Sequence, residues 1–299
     1  MVLFVKRVGI VGGGAMGSQI ADIMAINGKE VIVKDVSEES LKKTKENIEK
    51  NLNDLLEFNL TRADKEITRI EKSTQIKLTD EQKEKIRETL KPKFTKSLKK
   101  EALDRIQTTT SYEEFSEVDL VIEAIVENTK LKQEVFSELD KHTPTHTILA
   151  TNTSSLSITE VASATNKPEK VLGMHFFNPP ITLPLIEIIP GIETSEETVN
   201  DIIDFMSAIR NHRYPMQPIK VKEVPGFLVN RILFAMMNEA YACYEDGVAS
   251  MRDIDLAMKA GAGMPMGPFE LSDLVGIDVI HNVQEEVRKM VGGNTMNQP

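Results

Sequence analysis

Two residues with acid–base chemistry, His175 and Glu187, lie close together in the chain. His175 ends an apolar run and is followed by Phe176-Phe177-Asn178-Pro179-Pro180. Glu187 is a lone acid in the apolar segment Leu185–Ile189, where an unpaired carboxylate would be costly to bury. The intervening prolines force a reversal that folds Glu187 back toward His175. A histidine whose second nitrogen is fixed by a carboxylate is a general base of defined tautomer; the alternative is a structural His–Glu pair that holds the turn.

A glycine-rich turn near the start of the chain has the pattern of a dinucleotide site. Strand-like Val8–Val11 leads into Gly12-Gly13-Gly14-Ala15-Met16-Gly17, and helical sequence begins at Ser18. In this G-x-G-x-x-G context, Gly12 permits a tight turn, Gly14 lets the backbone approach a pyrophosphate, and Gly17 lets helix and strand pack closely. The helix amino terminus, which includes Ala15 and Met16, stabilises the phosphate charge.

An acidic residue completes this pattern. Asp35 ends the second strand about 20 residues further on, where a carboxylate accepts hydrogen bonds from a ribose diol and repels a 2′-phosphate. The pattern therefore predicts that the chain binds NAD rather than NADP. The alternative is a chance glycine-rich turn.

The other histidines do not predict a metal site. His142 and His146 are four residues apart, but Pro144 disfavours the helix that would bring them to one face, so we interpret them as solvated loop residues. His212 follows a helical stretch and is interpreted as a C-terminal charge cap. His281 has no local partner. No metal ligands are predicted.

These residues require an α/β framework. Near-continuous apolar runs at 8–11, 31–33, 118–125, 147–150, 171–174 and 185–189 alternate with helical stretches, which indicates a doubly wound parallel sheet covered on both faces. Active sites of such sheets lie at the carboxyl ends of the strands, where His175 is placed. The charged segment from about 37 to 105 is too long for an ordinary connection and predicts a helical arm.

The chain divides into two predicted domains. Helical periodicity dominates after about Thr194, and Ser250 has the sequence context of a helix cap. We predict a Rossmann-type domain at residues 1–222, with its arm, and a smaller all-α domain at residues 223–299. The net charge of −10 argues against nucleic-acid binding, and no apolar run is long enough to span a membrane. The lone Cys243 fits a reducing compartment, so we expect a cytoplasmic enzyme.

Taken together, the motifs resemble those of the L-3-hydroxyacyl-CoA dehydrogenases over nearly the whole chain. The resemblance rests on the glycine turn and on the segments at 123–128, 152–156, 175–180, 225–231 and 261–271. It implies NAD-dependent, reversible oxidation of an (S)-3-hydroxyacyl-CoA to the 3-oxoacyl-CoA in a cleft between the domains. Two alternatives stay open: an L-gulonate 3-dehydrogenase-like enzyme and a catalytically idle NAD-binding module.

The resemblance also implies catalytic roles. His175 takes the proton from the 3-hydroxyl, and Glu187 orients His175 and stabilises the imidazolium that forms. Ser154 and Asn230 hydrogen-bond the reacting oxygen or its surroundings. From the residues alone, the alternative is that Ser154 and Ser155 cap the following helix and that Asn230 is an ordinary polar residue early in a helix.

Three further residues are assigned to the cofactor side of the site by the resemblance. Glu127 and Lys132 line the site near the nicotinamide ribose, and Asn178 helps to place the nicotinamide and the acyl group. From spacing alone, Glu127 and Lys132 are equally an exposed ion pair of little consequence.

The chain departs from the family pattern in its arm and at its end. The arm lacks a clear match to the family's CoA contacts, but Lys91–Lys100 holds five lysines and no acid, a cluster that attracts CoA phosphates or is simply a solvated helix face. The family's final helix and tail have no counterpart in 292–299, so we expect a truncated helical domain or the first module of a fusion, such as one with an enoyl-CoA hydratase. The family also implies a homodimer formed through the helical domain.

Overall fold

The structure, a computed structural model, describes residues 5–277 and 280. The described strands form one eight-stranded sheet. The strands are β1 (Arg7–Val11), β2 (Glu30–Lys34), β3 (Ile106–Thr109), β4 (Leu120–Glu123), β5 (Ile148–Thr151), β6 (Val171–Phe176), β7 (Leu185–Pro190) and β8 (Gln217–Lys220). The helices are α1 (Ala15–Ile26), α2 (Glu38–Thr74), α3 (Asp80–Thr89), α4 (Lys96–Asp104), α5 (Thr129–His142), α6 (Ile158–Ala162), α7 (Glu196–Ala208), α8 (Val229–Glu245), α9 (Met251–Ala262) and α10 (Pro268–Val275).

The strand order is β3-β2-β1-β4-β5-β6-β7-β8, which confirms the doubly wound sheet. Strands β1 to β6 run parallel, but β7 is antiparallel to β6. The prediction of a parallel sheet was therefore wrong for β7. The short reversal between β6 and β7 is the reason, because a parallel pair needs a crossover of a dozen or more residues. Strands β3 and β8 were not predicted. Both lie at sheet edges, where polar residues such as Gln107 and Gln217 replace the apolar runs of central strands.

Both faces of the sheet are covered, as the near-continuous apolar strands predict. Along β4, Leu120 and Ile122 pack into one hydrophobic cluster, which also contains residues of α1, α2 and α7. Val121 points the opposite way, into a second cluster built with α5 and α6. This alternation is the pleat of a strand that is buried on both sides.

The predicted arm consists of three helices, α2, α3 and α4, which are joined by short connections. Ser37 caps α2, whose apolar side at Leu41, Ile48 and Leu52 is buried. Beyond Asn59, Ile67 is the one residue of α2 that is buried, so the distal half stands off the sheet and is covered by α3. Helix α4 returns the chain to α1 and β3.

Helices α8 to α10 follow the sheet. Ser250 caps α9 as predicted, by accepting a hydrogen bond from the amide of Asp253 at 3.2 Å. Phe227 precedes α8 in a turn and has a positive φ. The division at 222/223 stays a prediction. No helix in the described part of the chain is long and apolar enough to cross a membrane.

Candidate functional site

His175 and Glu187 are directly opposed in the antiparallel pair of β6 and β7. Opposed residues project their side chains from the same face, so the reversal brings the two groups together as expected. His175 Nδ1 lies 2.8 Å from Glu187 Oε2, and the residues are 6% and 0% exposed. Because an ionised carboxylate only accepts hydrogen bonds, Nδ1 is the donor in this contact.

The second oxygen of Glu187 binds the start of α8. The backbone amides of Leu228 and Val229 donate to Glu187 Oε1 at 3.2 Å and 2.9 Å. The buried carboxylate therefore has donors on both oxygens, which offsets its loss of water. Two aromatic rings flank the His175 imidazole: the centroid of Phe177 lies 4.6 Å away and that of Phe227 5.6 Å away.

The glycine turn has the geometry that a dinucleotide requires. Gly12 has φ +95, and a Cβ at Gly17 would overlap the carbonyl oxygen of Gly12. A Cβ at Gly14 would meet no atom within 4 Å, and no side chain caps α1. Such a turn fits a pyrophosphate.

Asp35 and the arm complete this turn. Asp35 Oδ2 accepts from the Gly13 amide at 2.9 Å, and Oδ1 accepts from the Val36 amide at 2.7 Å. Thr44, on α2, packs so closely against Gly13 that a Cβ added at Gly13 would overlap its side chain. The sequence did not predict this contact. The arm therefore touches the glycine turn directly.

Lys132 and Glu127 belong to a partly buried network. Lys132 is 1% exposed, with its Nζ 2.7 Å from Glu123 Oε1 and 3.4 Å from Glu127 Oε2. The alternative of an exposed ion pair is therefore wrong for Lys132. Glu127 Oε1 accepts from the amide of Ser154 at 2.9 Å and from the hydroxyl of Thr153.

The cap alternative for Ser154 is also wrong. Helix α6 is capped by Ser157, which accepts from the amide of Glu160 at 3.1 Å. The Ser154 loop is instead organised by Glu127.

The structure also reveals site residues that sequence reasoning missed. Glu123 is 0% exposed and accepts from Lys132, from the Thr151 hydroxyl at 2.7 Å and from the Ile125 amide at 2.6 Å. The sequence did contain a signal for Glu123, because an acid that ends an apolar strand needs hydrogen-bond partners just as Glu187 does. Asn152 Oδ1 accepts from the Phe176 amide at 2.9 Å, which ties the end of β5 to the residue after His175.

The carboxyl ends of three neighbouring strands lie together at one end of the sheet. The amide of Ala124 donates to the carbonyl of Val11 at 2.8 Å, and that of Asn152 to Glu123 at 2.7 Å, so the carboxyl ends of β1, β4 and β5 are joined. Asn230 is the second residue of α8, next to the amide that binds Glu187. Asn178 is exposed on the reversal after His175.

Two interpretations of the remaining histidines were wrong. His142 is the last residue of α5 rather than a loop residue, and its Nδ1 lies 2.8 Å from the Glu138 carbonyl oxygen. His212 lies four residues beyond the end of α7, contacts the carbonyl of Ile181, and has a pKa lowered by burial, so it is not a charge cap. His281 lies outside the described residues. In residues 5–277 and 280, no group of three His, Cys, Asp or Glu side chains is placed to hold a metal ion.

Comparisons with known proteins identify the chain's relatives. The sequence profile described as 3-hydroxyacyl-CoA dehydrogenase, NAD binding domain, matches residues 7–88 and 77–224, and that of the C-terminal domain matches 226–299. The human hydroxyacyl-coenzyme A dehydrogenase, mitochondrial, is 39% identical, with 99% of this chain and 84% of the human protein covered. The 3-hydroxybutyryl-CoA dehydrogenase of Clostridioides difficile is 40% identical, with 92% of this chain and 84% of that protein covered.

A solved structure agrees. That of (S)-3-hydroxybutyryl-CoA dehydrogenase PaaH1 from Ralstonia eutropha superposes with a TM-score of 0.78 and 33% identity, covering 96% of this chain and 88% of that one. The predictions of family, fold, NAD as cofactor and dehydrogenase activity are confirmed by these matches. The chain belongs to the 3-hydroxyacyl-CoA dehydrogenase family of NAD-dependent oxidoreductases.

Proposed function

We propose that His175 is the general base in this chain's reaction, the NAD-dependent oxidation of a 3-hydroxyacyl-CoA, and that Glu187 orients it. The observation that carries the proposal is the buried contact of 2.8 Å between His175 Nδ1 and Glu187 Oε2. Because this contact holds the proton on Nδ1, Nε2 is free to accept the proton of the 3-hydroxyl. Glu187 then stabilises the imidazolium, and in the reverse direction His175 returns the proton to the carbonyl oxygen.

The other predicted residues position the reactants. NAD, when bound, supplies the hydride acceptor for C3. The turn and helix start for its pyrophosphate are offered by Gly12, Gly14, Ala15, Met16 and Gly17. The positive φ of Gly12 and the open space at Gly14 support this placement. Asp35 offers its carboxylate to a ribose diol.

The polar groups nearer the base have complementary roles. Ser154 and Asn230 hydrogen-bond the reacting oxygen or its surroundings, where positioned donors are most effective. Glu127 and Lys132 line the site near the nicotinamide ribose, and the contact of Lys132 with Glu123 supports this placement. Asn178, on the exposed reversal, helps to place the nicotinamide and the acyl group.

NADH formation from (S)-3-hydroxybutyryl-CoA tests this function. We expect turnover with NAD that is abolished by His175→Ala, with little activity on NADP or L-gulonate. His146→Ala, at a histidine whose side chain is 62% exposed, is the matched control and should remain active. Turnover of L-gulonate instead would favour the hypothesis of an L-gulonate 3-dehydrogenase-like enzyme. NAD binding without any turnover would indicate an idle module, and full activity of His175→Ala would exclude His175 as the base.

A cationic cavity supports a location for the CoA moiety. It has a volume of about 820 Å³ and lies between α2 of the arm and the segment before β8. The basic residues Arg62, Lys93, Arg210 and Arg213 line it, together with Phe58 and Tyr214, and no Asp or Glu does. In a chain of net charge −10, such a concentration of positive charge attracts phosphates, and aromatic rings suit a nucleotide base.

The cavity lies beside the reversal that follows His175. His212 contacts the carbonyl of Ile181, and Asn211 Nδ2 lies 3.5 Å from that of Pro180, so its wall rests on this reversal. Of the five lysines in 91–100, Lys93 lines the cavity, whereas Lys99 binds Asn53 Oδ1 at 2.5 Å. We therefore propose that the CoA phosphates bind at the cavity.

Two sets of variants test this location. We expect Arg62→Gln with Arg213→Gln to raise the KM for acetoacetyl-CoA about tenfold at low salt, because two charge contacts are lost. The KM for the N-acetylcysteamine thioester, which has no phosphates, should not change. The comparison variant replaces Lys96, Lys99 and Lys100 by Gln. If that variant alone raises the KM, the phosphates bind the lysine cluster instead.

The predicted homodimer is supported by exposed apolar side chains on the helices after the sheet. Ile232, Leu256 and Leu274 are each more than half exposed. We propose that a second copy covers them, and light scattering should give twice the monomer mass; a monomeric mass would contradict the proposal. The cytoplasmic location and the association with an enoyl-CoA hydratase stay predictions.

A further inference from the structure

Helix α8 has an N-terminal cap that comes from another part of the fold. The residue before its first turn, Leu228, provides no side-chain cap. Instead Glu187, 41 residues earlier on β7, accepts hydrogen bonds from the amides of Leu228 and Val229. A carboxylate at a helix N-terminus is stabilised by the unpaired amides and by the helix dipole. The group that binds His175 is therefore held at the same time by α8.

The turn that delivers these amides has an unusual backbone. Gly226 has φ +69 and Phe227 has φ +47. In the described part of the chain, the one other non-glycine residue with positive φ is Gln75, which directly follows α2. A bulky residue in this region is strained, and such strain persists only where the surroundings enforce it.

The surroundings of Phe227 do enforce this conformation. Phe227 is 2% exposed and packs in a small cluster with Ile158 and Ile189. Its ring also lies against the imidazole of His175, with centroids 5.6 Å apart. The turn thus contacts both members of the pair: the amides after it hold Glu187, and its side chain holds His175.

We infer that the Gly226-Phe227 turn is a positioning device for the catalytic base. It fixes the Glu187 carboxylate, and through it the Nδ1–H tautomer and ring direction of His175, so the base is set only when α8 is seated on β7. This inference rests on the proposed function. Neither turn residue takes a proton; both act through the pair.

Gly226→Ala and Gly247→Ala form a matched test. Both glycines have φ +69, and they lie just before and just after α8, so alanine imposes the same backbone strain at each. A Cβ at Gly247 meets nothing within 4 Å, and one at Gly226 makes only an ordinary contact of 3.4 Å with the Arg231 amide nitrogen. Only Gly226→Ala shifts the amides that hold Glu187.

We expect similar losses of Tm in both variants but different kinetics. The kcat for acetoacetyl-CoA reduction should fall about tenfold or more in Gly226→Ala, since a hydrogen bond to a charged group is weakened. The Kd for NADH should be unchanged, and kcat of Gly247→Ala should stay within about twofold of wild type. The ¹⁵N shifts of His175 should show a smaller Nδ1–H fraction in Gly226→Ala alone.

Equal kcat and equal tautomer fractions in the two variants would overturn the inference. If Gly226→Ala does not fold, Phe227→Leu decides, because it keeps the turn and removes the ring from His175. A lower kcat with unchanged NADH binding supports the inference, and an unchanged kcat overturns it. Failure of the proposed function is distinguishable, because the wild-type protein would then not turn over or His175→Ala would keep full activity.

Discussion

Replacing Glu187 by glutamine is the sharpest test of the base. The carboxylate accepts from three N–H groups: His175 Nδ1 on one oxygen, and the amides of Leu228 and Val229 on the other. Glutamine has nearly the same shape but only one oxygen, and its other terminal atom is a donor. It cannot accept on both sides.

The structure determines which side keeps the oxygen. If the NH₂ group faced Leu228 and Val229, two partly buried amides would meet a donor, at about 1–3 kcal/mol each. If it faces His175, Nδ1 simply becomes the acceptor and the ring proton moves to Nε2. The second arrangement is favoured, by about 2–6 kcal/mol, and it leaves His175 unable to accept the substrate proton.

This preference gives the expected loss of activity. At about 1.36 kcal/mol per factor of ten, 2–6 kcal/mol corresponds to a fall in kcat of about 30-fold to 10⁴-fold. The measurement is NADH formation from (S)-3-hydroxybutyryl-CoA, together with the Kd for NAD, which should not change. Glu193→Gln, the same change at an exposed acid, is the control and should have wild-type kcat. A kcat for Glu187→Gln within tenfold of wild type would refute the reasoning.

Three further predictions concern the cofactor and stability. Asp35→Asn removes the charge that repels a 2′-phosphate, so the kcat/KM ratio of NAD to NADP should fall about tenfold, and an unchanged ratio would count against this role of Asp35. Lys132→Met leaves Glu123 buried without its cation, so urea titration should show a loss of about 3–5 kcal/mol of unfolding free energy, and a loss below 1 kcal/mol would contradict it. Burial raises the pKa of Asp22 well above its usual value, against the hydrogen bond from Asn51. A raised folded pKa stabilises the fold fully below the unfolded value of about 3.9, and this contribution is lost as pH rises through the raised folded pKa. Asp22→Asn should therefore raise Tm at pH 7 but not near pH 4. An equal gain at both pH values would be inconsistent with that shift.

Much of the site follows from the sequence because its signals are local. The glycine turn and Asp35 lie within one strand–helix–strand unit, so their types and spacing alone predict a dinucleotide site. The pairing of His175 with Glu187 was also predictable, because a buried acid needs a partner and the prolines between them allow a reversal. The charged segment from 37 to 105 predicts an arm by its length.

Only the tertiary structure could reveal the contacts between segments that are far apart in the chain. The direction of β7, the cap that Glu187 places on α8, Thr44 against Gly13, and the basic cavity each join residues from different elements. Periodicity reports which face of an element is buried but not which element covers it. The sequence by itself therefore determined the chemistry of this protein, whereas the supports that hold its base in place arise from packing.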